Sequence, residues 1–482
     1  MLLRDVLDGT GIILDKTAQK IEIKKIEISP DDCKGCLFFD LKGEQNVNKI
    51  LERGANFVIR LGKKNKQDGN RVFSHIDPRK ILALASKNFF HKACDELKIV
   101  GITGTNGKTS TAKIVKDIIL GTRKKVAVVG TIGCEFNGRH FDTGFTTPDP
   151  HILHSLFLKM LQSGVEYVVM EVSAHSIALK KLEGIKFEVL ALTNITQDHL
   201  DFFKDMELYA KTKCDFFTHE HAKHAVICVD DEWGLKLSRQ ISIPFASYGI
   251  ENPSDIFAID IKSSFAGSEF ICNILDEDIF RAETPLVGEY NVLNCLCAMG
   301  ITKALGFEAE DIKNGIAVST PELGRFNIIS LGGLSVVIDY AHTPDGLEKV
   351  LRTAKSLCKN NLFVLFGCGG NRDISKRAIM GGISELYADK VFLTSDNPRF
   401  EDPIEIIRDI EKGMIKSTHE VIPDRKEAIR VALSTCKKGD CLIIAGKGGE
   451  KYQDIKGQKI AYSDFDEVFK FFRGNIRVLE AT

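Results

Sequence analysis

Apolar residues along this chain fall into short runs that stop abruptly at polar ones. Val126-Ala127-Val128-Val129 leads to Gly130-Thr131, and Tyr167-Val168-Val169-Met170 leads to Glu171. Val189-Leu190-Ala191-Leu192 leads to Thr193-Asn194, and Ala225-Val226-Ile227-Cys228-Val229 to Asp230-Asp231. Helical stretches separate them. Strand-length runs that are apolar throughout, alternating with helices, predict a doubly wound parallel sheet with ligands at the strands' carboxyl ends. Residues 255 to 285 read differently, as short strands with turn residues, and predict an antiparallel edge. From Gly324 the theme restarts. Val336-Val337-Ile338 leads to Asp339, Leu362 to Phe366 leads to Gly367, Lys390 to Thr394 leads to Ser395-Asp396, and Leu442 to Ala445 leads to Gly446-Lys447-Gly448. That predicts a second, Rossmann-like unit. Ahead of both, residues 1 to 95 read as a small α/β unit. Ile21 to Ile28 alternates like a half-buried strand, Cys36 to Phe39 and Ala55 to Ile59 read as further strands, and a helix over Asn48 to Arg53 stops at Gly54.

At 482 residues the chain exceeds one ordinary core, so two or three domains are expected. The formal charge is −1, which gives no field favouring nucleic acid or an anionic membrane. Arg123-Lys124-Lys125 and Lys63-Lys64-Asn65-Lys66 are short basic clusters that read as solvated surface. No apolar run reaches the length of a membrane span, and the first residues lack a signal-peptide layout. Thirteen scattered cysteines read as reduced cytosolic thiols. Cys33-x-x-Cys36 has metal or redox spacing, but no second pair matches it.

The chemistry begins at Gly101-Ile102-Thr103-Gly104-Thr105-Asn106-Gly107-Lys108-Thr109-Ser110, between a strand-like run and a helix-like one. A strand, a glycine-rich turn and a helix N-terminus form a phosphate cradle. Backbone N–H groups approach the phosphates, the helix dipole favours the anion, Lys108 adds charge and Thr109 can hold Mg2+. The spacing departs from G-x-x-x-x-G-K-[ST] only at Ile102. Bound nucleoside triphosphate is therefore expected, against the alternative of an accidental glycine-rich turn. Glu171, at a strand end, can reach a metal beside the triphosphate. His199 lies past another strand end on the same face, as metal ligand or structural residue. The helix around Tyr209 to Phe217 looks amphipathic, and spacing alone sends its lysines, Lys211 and Lys213, to solvent.

Six segments occur in order: Thr103 to Thr109; Met170-Glu171-Val172-Ser173-Ala174-His175; Thr193-Asn194 with Asp198-His199-Leu200-Asp201; Asn291-Val292-Leu293-Asn294; Asp339-Tyr340-Ala341-His342-Thr343-Pro344; and Gly367-Cys368-Gly369-Gly370-Asn371-Arg372-Asp373. Through them the chain resembles the Mur ligases over nearly its whole length. The resemblance implies an α/β protein of three domains: a small UDP-sugar-binding domain at 1–95, a central P-loop ATPase domain at 96–323, and a C-terminal Rossmann-like domain at 324–482 that brings the incoming amino acid. It implies a cytoplasmic, monomeric ATP-dependent amide ligase of peptidoglycan precursor synthesis. Such an enzyme extends UDP-N-acetylmuramoyl-L-alanyl-D-glutamate through an acyl phosphate.

By the same resemblance, Gly104, Thr105, Asn106, Gly107, Lys108, Thr109, Ser110, Asn291, Arg325 and Asp339 bind ATP. Thr109, Glu171, His199 and Lys213 hold Mg2+, with Lys213 carbamylated to N6-carboxylysine. Lys108, Glu171, His199 and Lys213 form the catalytic set. Ser29, Thr146, Thr147, Ser173 and Lys181 fall on UDP-substrate positions. Asp396-Asn397-Pro398-Arg399 reads, on spacing alone, as a proline-containing turn. In the family this tetrapeptide marks enzymes that add meso-diaminopimelate rather than lysine, and Arg372, Gly446 and Glu450 match the other contacts. A guanidinium at Arg399 suits the second carboxylate that lysine lacks. The chain departs from the family at Pro30, Phe145, Leu179, Lys181, Asn327 and Gly449, and in a short loop after Gly43. Rival readings are a lysine-adding ligase, a folylpolyglutamate synthetase and a nucleotide-binding scaffold without catalysis.

Overall fold

The structure is a computed structural model that describes residues 1–416 and 419–479, with side chains to 473, so the last three residues of the expected third domain lie outside it. Three large α/β sheets follow one another along the chain.

The first sheet has five strands, in the order Lys25–Glu27, Cys36–Asp40, Phe57–Leu61, Val72–His75, Lys66–Gln67. The first four run parallel. The alternating stretch from Ile21 yields only three strand residues. Its first half is diverted, because Ile21 and Ile23 exchange backbone hydrogen bonds with Leu3 and Met1.

The central sheet has eleven strands. Lys98–Thr103 lies between Tyr167–Glu171 and Phe187–Leu192, parallel to both. It is apolar and buried from Ile99 on, as a strand covered on both faces must be. Helices Lys108–Gly121, Glu289–Ala304 and Ala309–Val318 cover one face, and Pro150–Gln162 helps cover the other. The predicted antiparallel edge is Ile256–Ser264, Gly267–Ile274 and Asp278–Thr284. A second antiparallel edge, Gly133–Phe136 with Arg139–Phe141, extends the opposite side.

The third sheet runs Asn327–Leu331, Leu334–Asp339, Cys441–Ala445, Leu362–Phe366, Lys390–Leu393, His419–Val421. All neighbours are parallel except the first pair. A separate hairpin, Tyr452–Ile455 with Gln458–Ala461, lies beside it. The thirteen cysteines are all free thiols, and Cys33 and Cys36 are buried. Among the described residues no helix is long and apolar enough to cross a membrane.

Candidate active site

The turn after Lys98–Thr103 forms because its glycines permit it. Gly104 has φ +146° and Gly107 has φ +88°, backbone that side chains rarely adopt. A Cβ on Gly104 would collide with the Thr193 hydroxyl, and one on Gly107 with the Asn294 amide. The turn is pinned from the neighbouring strand end. The Asn106 N–H donates to Asn194 Oδ1 at 2.9 Å, and the Thr193 hydroxyl donates to Asn106 O at 2.6 Å. Helix Lys108–Gly121 starts directly on Gly107, so its first free N–H groups and its dipole point out of the turn.

This turn forms one wall of a cavity of about 560 Å3 between the central and C-terminal sheets. All the expected nucleotide residues line it: Gly104 to Ser110, Asn291, Arg325 and Asp339. So do Glu171, His199 and Lys213. Lys108 Nζ folds back onto the carbonyls of Gly104 and Thr105, at 2.9 and 2.8 Å. Lys213 Nζ donates to Gly104 O at 2.8 Å. Burial pushes the Lys108 ammonium below its ordinary range, with Glu171 and Asp198 opposing. Burial and then the nearby Lys108 charge push Lys213 far down. Two lysines whose charge is disfavoured, half-buried Lys108 and buried Lys213, suit an anionic ligand.

Lys213 corrects the spacing argument. It is 1% exposed, whereas Lys211 faces solvent. Helix Met206–Cys214 buries Tyr209, Ala210 and Lys213, and Asp205 caps its start by accepting from the Leu208 N–H. Lys213 lies four residues after Tyr209, on the same face.

Glu171 is 1% exposed and accepts from the Thr109 hydroxyl, the Thr131 N–H and the Thr131 hydroxyl, each at 3.0 Å. Among the described residues no cation lies within ion-pair distance of it. A buried carboxylate held only by neutral donors, next to a threonine hydroxyl, fits Mg2+. No cluster of three or more His, Cys, Asp or Glu side chains that could hold a metal occurs among the described residues. Such a site suits a cation held partly by phosphates, as Mg2+ usually is. His199 adopts φ +56°, and its Nε2 lies 3.3 Å from Asp198. Burial lowers the His199 pKa, so the imidazole is neutral near pH 7 and free to ligate.

The C-terminal sheet closes the other wall. Asn106 Nδ2 donates to Asp345 at 2.8 Å, and the Arg325 guanidinium donates to the Thr109 hydroxyl at 3.3 Å. Arg325 stacks on Tyr340, 4.3 Å from the ring centroid. Asp339 accepts from the Phe326 and Ala341 N–H groups, both at 2.7 Å. Asp198 is reached from this side by Lys376 at 3.7 Å and His342 at 3.9 Å. Burial works against its charge, yet His199, His342 and Lys376 hold the carboxyl well below the usual carboxylate range. Lys376 and Asp345 were not singled out from the sequence, and His342 stood only within the Asp339-to-Pro344 segment, without a role of its own. Each belongs to the C-terminal unit, and nothing local ties it to a turn more than 140 residues earlier.

The expected substrate residues fall into two groups. Thr146, Thr147, Ser173 and Lys181 are contiguous. Thr147 Oγ1 donates to Glu171 O at 2.9 Å and to Ser173 Oγ at 3.3 Å, and Lys181 Nζ reaches Thr147 O at 3.3 Å. Lys181 also pairs with Asp149 at 2.9 Å and lies over the exposed Phe145 ring. Ser29 stands apart in the first unit, its hydroxyl donating to Asp31 at 2.7 Å, and does not line the cavity.

The expected amino-acid residues converge at the carboxyl ends of the third sheet. Arg399, at φ +50°, donates to Gly370 O at 2.7 Å. A Cβ on Gly446 would sit 2.7 Å from Asp396 Oδ2. Asn397 Nδ2 donates to Glu450 at 2.9 Å. A Cβ on Gly369 would touch both Arg399 and Arg372. Pro398 sits in the same turn, its carbonyl packed against Gly370. The turn expected on spacing is present, and it also carries these polar groups.

Residues 102–302 match the Mur ligase middle domain, and residues 324–448 match the Mur ligase glutamate ligase domain. The chain is 37% identical to the UDP-N-acetylmuramoyl-L-alanyl-D-glutamate–2,6-diaminopimelate ligase of Clostridium perfringens, covering 98% of this chain and 100% of that one. The enzyme of the same name from Clostridium tetani is also 37% identical, covering 98% and 99%. A solved structure of a ligase of that name superposes with a TM-score of 0.69 at 28% identity, covering 99% of each chain. Mycobacterium tuberculosis folylpolyglutamate synthase complexed with ADP has a TM-score of 0.64 at 18% identity, covering 77% of this chain and 92% of that one, and shares the fold.

Proposed function

This chain belongs to the Mur ligase family, and we propose that it joins meso-2,6-diaminopimelate to UDP-N-acetylmuramoyl-L-alanyl-D-glutamate with hydrolysis of ATP. It is an ATP-dependent Mur amide ligase that adds an amino acid to a UDP-N-acetylmuramoyl peptide. The observation that carries the choice of amino acid is the wall at Asp396 to Arg399 and Glu450. It carries the Arg399 guanidinium, and through Asn397 the Glu450 carboxylate, at the carboxyl ends of the third sheet, groups that suit a ligand with both a carboxylate and an ammonium at its far end. The names of the relatives support the same choice.

The substrate carboxylate is a poor electrophile until it takes the γ-phosphoryl group of ATP. The incoming amine then attacks the acyl phosphate, and inorganic phosphate leaves. Lys108 and the Gly104-to-Ser110 backbone hold the phosphates, and Arg325 brings a further positive charge from the opposite wall. Mg2+, when bound, neutralises phosphate charge and stabilises the group in transfer. Thr109, Glu171, His199 and carbamylated Lys213 would hold it. The buried Lys213 amine, whose charged form burial disfavours, suits carbamylation: the neutral amine adds to CO2, a proton leaves, and a carboxylate-like group takes the place of the ammonium. Thr146, Thr147, Ser173 and Lys181 would seat the muramoyl-dipeptide, with Ser29 at the uridine end. Domain limits at 95 and 323 belong to this reading, as does a cytoplasmic location.

The test is phosphate release with Mg-ATP and the UDP-dipeptide, comparing meso-diaminopimelate, L-lysine and neither. Release with tripeptide formation only with diaminopimelate is expected. A preference for lysine would overturn the role given to Arg399 and leave the ligase chemistry standing. ATP turnover that ignores the UDP-dipeptide would sink the reading.

A further inference from the structure

Beneath the pocket wall formed by Asn397 and Glu450 lies a side chain that the reaction as described does not use. Lys447 follows strand Cys441–Ala445 between Gly446 and Gly448, and it is 0% exposed. A buried ammonium is costly unless its protons are placed. Here they are. Lys447 Nζ donates to Asn397 Oδ1 and to Glu450 Oε2, both at 2.9 Å. The rings of Tyr452 and Tyr462 lie 5.7 and 5.9 Å from Nζ.

The consequence is a fixed orientation of two pocket groups. Asn397 Oδ1 accepts from Lys447 and from the Asp454 N–H, the latter at 2.9 Å. An oxygen with two donors cannot be exchanged for the amide nitrogen, so Nδ2 must face the other way, towards Glu450 Oε2. Glu450 Oε2 thus takes two hydrogen bonds. Among the described residues Oε1 takes none, and the Glu450 side chain is 21% exposed. One carboxylate oxygen is anchored, and the other has no protein partner among the described residues.

We infer that Lys447 is a positioning residue for amino-acid selection. From below the pocket it locks Asn397 and Glu450 so that one Glu450 oxygen faces the ammonium of the incoming amino acid. This rests on the reading that the amino acid binds at Asn397, Arg399 and Glu450.

The test compares full-length Lys447→Met and Lys447→Gln with Glu450→Gln and the double variant Lys447→Met/Glu450→Gln. KM is measured separately for meso-diaminopimelate, ATP and the UDP-dipeptide. Lys447→Met is expected to raise KM for diaminopimelate about tenfold or more, while the other two stay within about twofold. The double variant is expected to have a diaminopimelate KM no higher than Glu450→Gln alone, because Lys447 acts through Glu450. Additive effects, or equal changes in all three KM values, would overturn the inference in favour of a strut of the fold. If Glu450→Gln raises the diaminopimelate KM and Lys447→Met does not, the inference falls and the reading of the pocket stands. If Glu450→Gln has no effect, both fall. Should Lys447→Met fail to fold by circular dichroism, Lys447→Gln carries the same comparison.

Discussion

Among the described residues His154 has no hydrogen-bond partner on either ring nitrogen, and it is 1% exposed in the core of the central unit. Burial holds its pKa down to about 3, and the Lys87 charge adds to the effect. The neutral form is therefore favoured in the native state. Above the ordinary histidine pKa of about 6.5 both native and unfolded chains are neutral there, and nothing is lost. Below it the unfolded chain takes up a proton that the native one refuses until about pH 3. Stability thus falls as pH drops through that window, by up to about 1.4 kcal/mol per pH unit from this group. Substituting His154→Leu is expected to remove that part of the slope. Urea denaturation at pH 5 and pH 7.5 measures it, and an unchanged pH dependence in the variant would refute the assignment. At the same scale, Arg399→Ala is predicted to raise KM for diaminopimelate at least tenfold, in line with losing a charge-assisted contact, while ATP binding is unchanged. Equal loss of both would mean that Arg399 serves the fold. Lys213→Ala is predicted to be nearly inactive and to recover activity with added short-chain carboxylates, which supply the missing oxygen ligands. Full activity without them would end the carbamate proposal.

At the scale of the element, the strand–turn–helix at Lys98 to Gly121 depends on two glycines, each for a separate contact. Replacing Gly104 by alanine puts a methyl group into the Thr193 hydroxyl in backbone that disfavours any side chain. The turn must shift off the Thr193-Asn194 strand end, so ATP affinity is expected to fall at least tenfold with little loss of folded protein. Nucleotide titration set against a thermal melt separates the two effects. Helix Met206–Cys214 shows why local pattern misled. Its polar residues suggest an exposed helix, but a packing face needs only every third or fourth position. Tyr209, Ala210 and Lys213 supply that face, so the lysine goes inside with them. The stretch from Ile21 to Ile28 fails for the converse reason. Alternation predicts a strand, yet the chain's own first residues compete for its backbone.

The whole molecule matters because the cavity at the phosphate turn has walls from two sheets. Asn106 meets Asp345, Thr109 meets Arg325, and Gln197 reaches Asp373 and Ser375 at 3.1 and 2.8 Å. These contacts join the phosphate turn and the neighbouring strand end to the C-terminal unit. Asp345→Ala is predicted to weaken ATP-dependent tripeptide formation while sparing nucleotide binding to the central unit, because Asn106 keeps its contacts to Thr193 and Asn194. Tripeptide synthesis and ATP affinity measured on the same variant test this, and parallel loss of both would refute it.

The sequence by itself determined the layout of α/β units, the phosphate turn and the antiparallel edge. Each is written in contiguous residues whose apolar runs, glycines and strand ends act locally. Ordered motifs also carried the family and many of the residues that line one cavity. Only the tertiary structure decided that Lys213 is buried, that Ser29 stands apart from Thr146 and Thr147, that Asp345 reaches the phosphate turn, and that Lys376 and His342 reach Asp198. It alone placed Lys447 beneath Asn397 and Glu450. Burial and charge pairing between distant segments are set when sheets pack against one another, and the spacing of residues along one segment carries no record of what arrives from another.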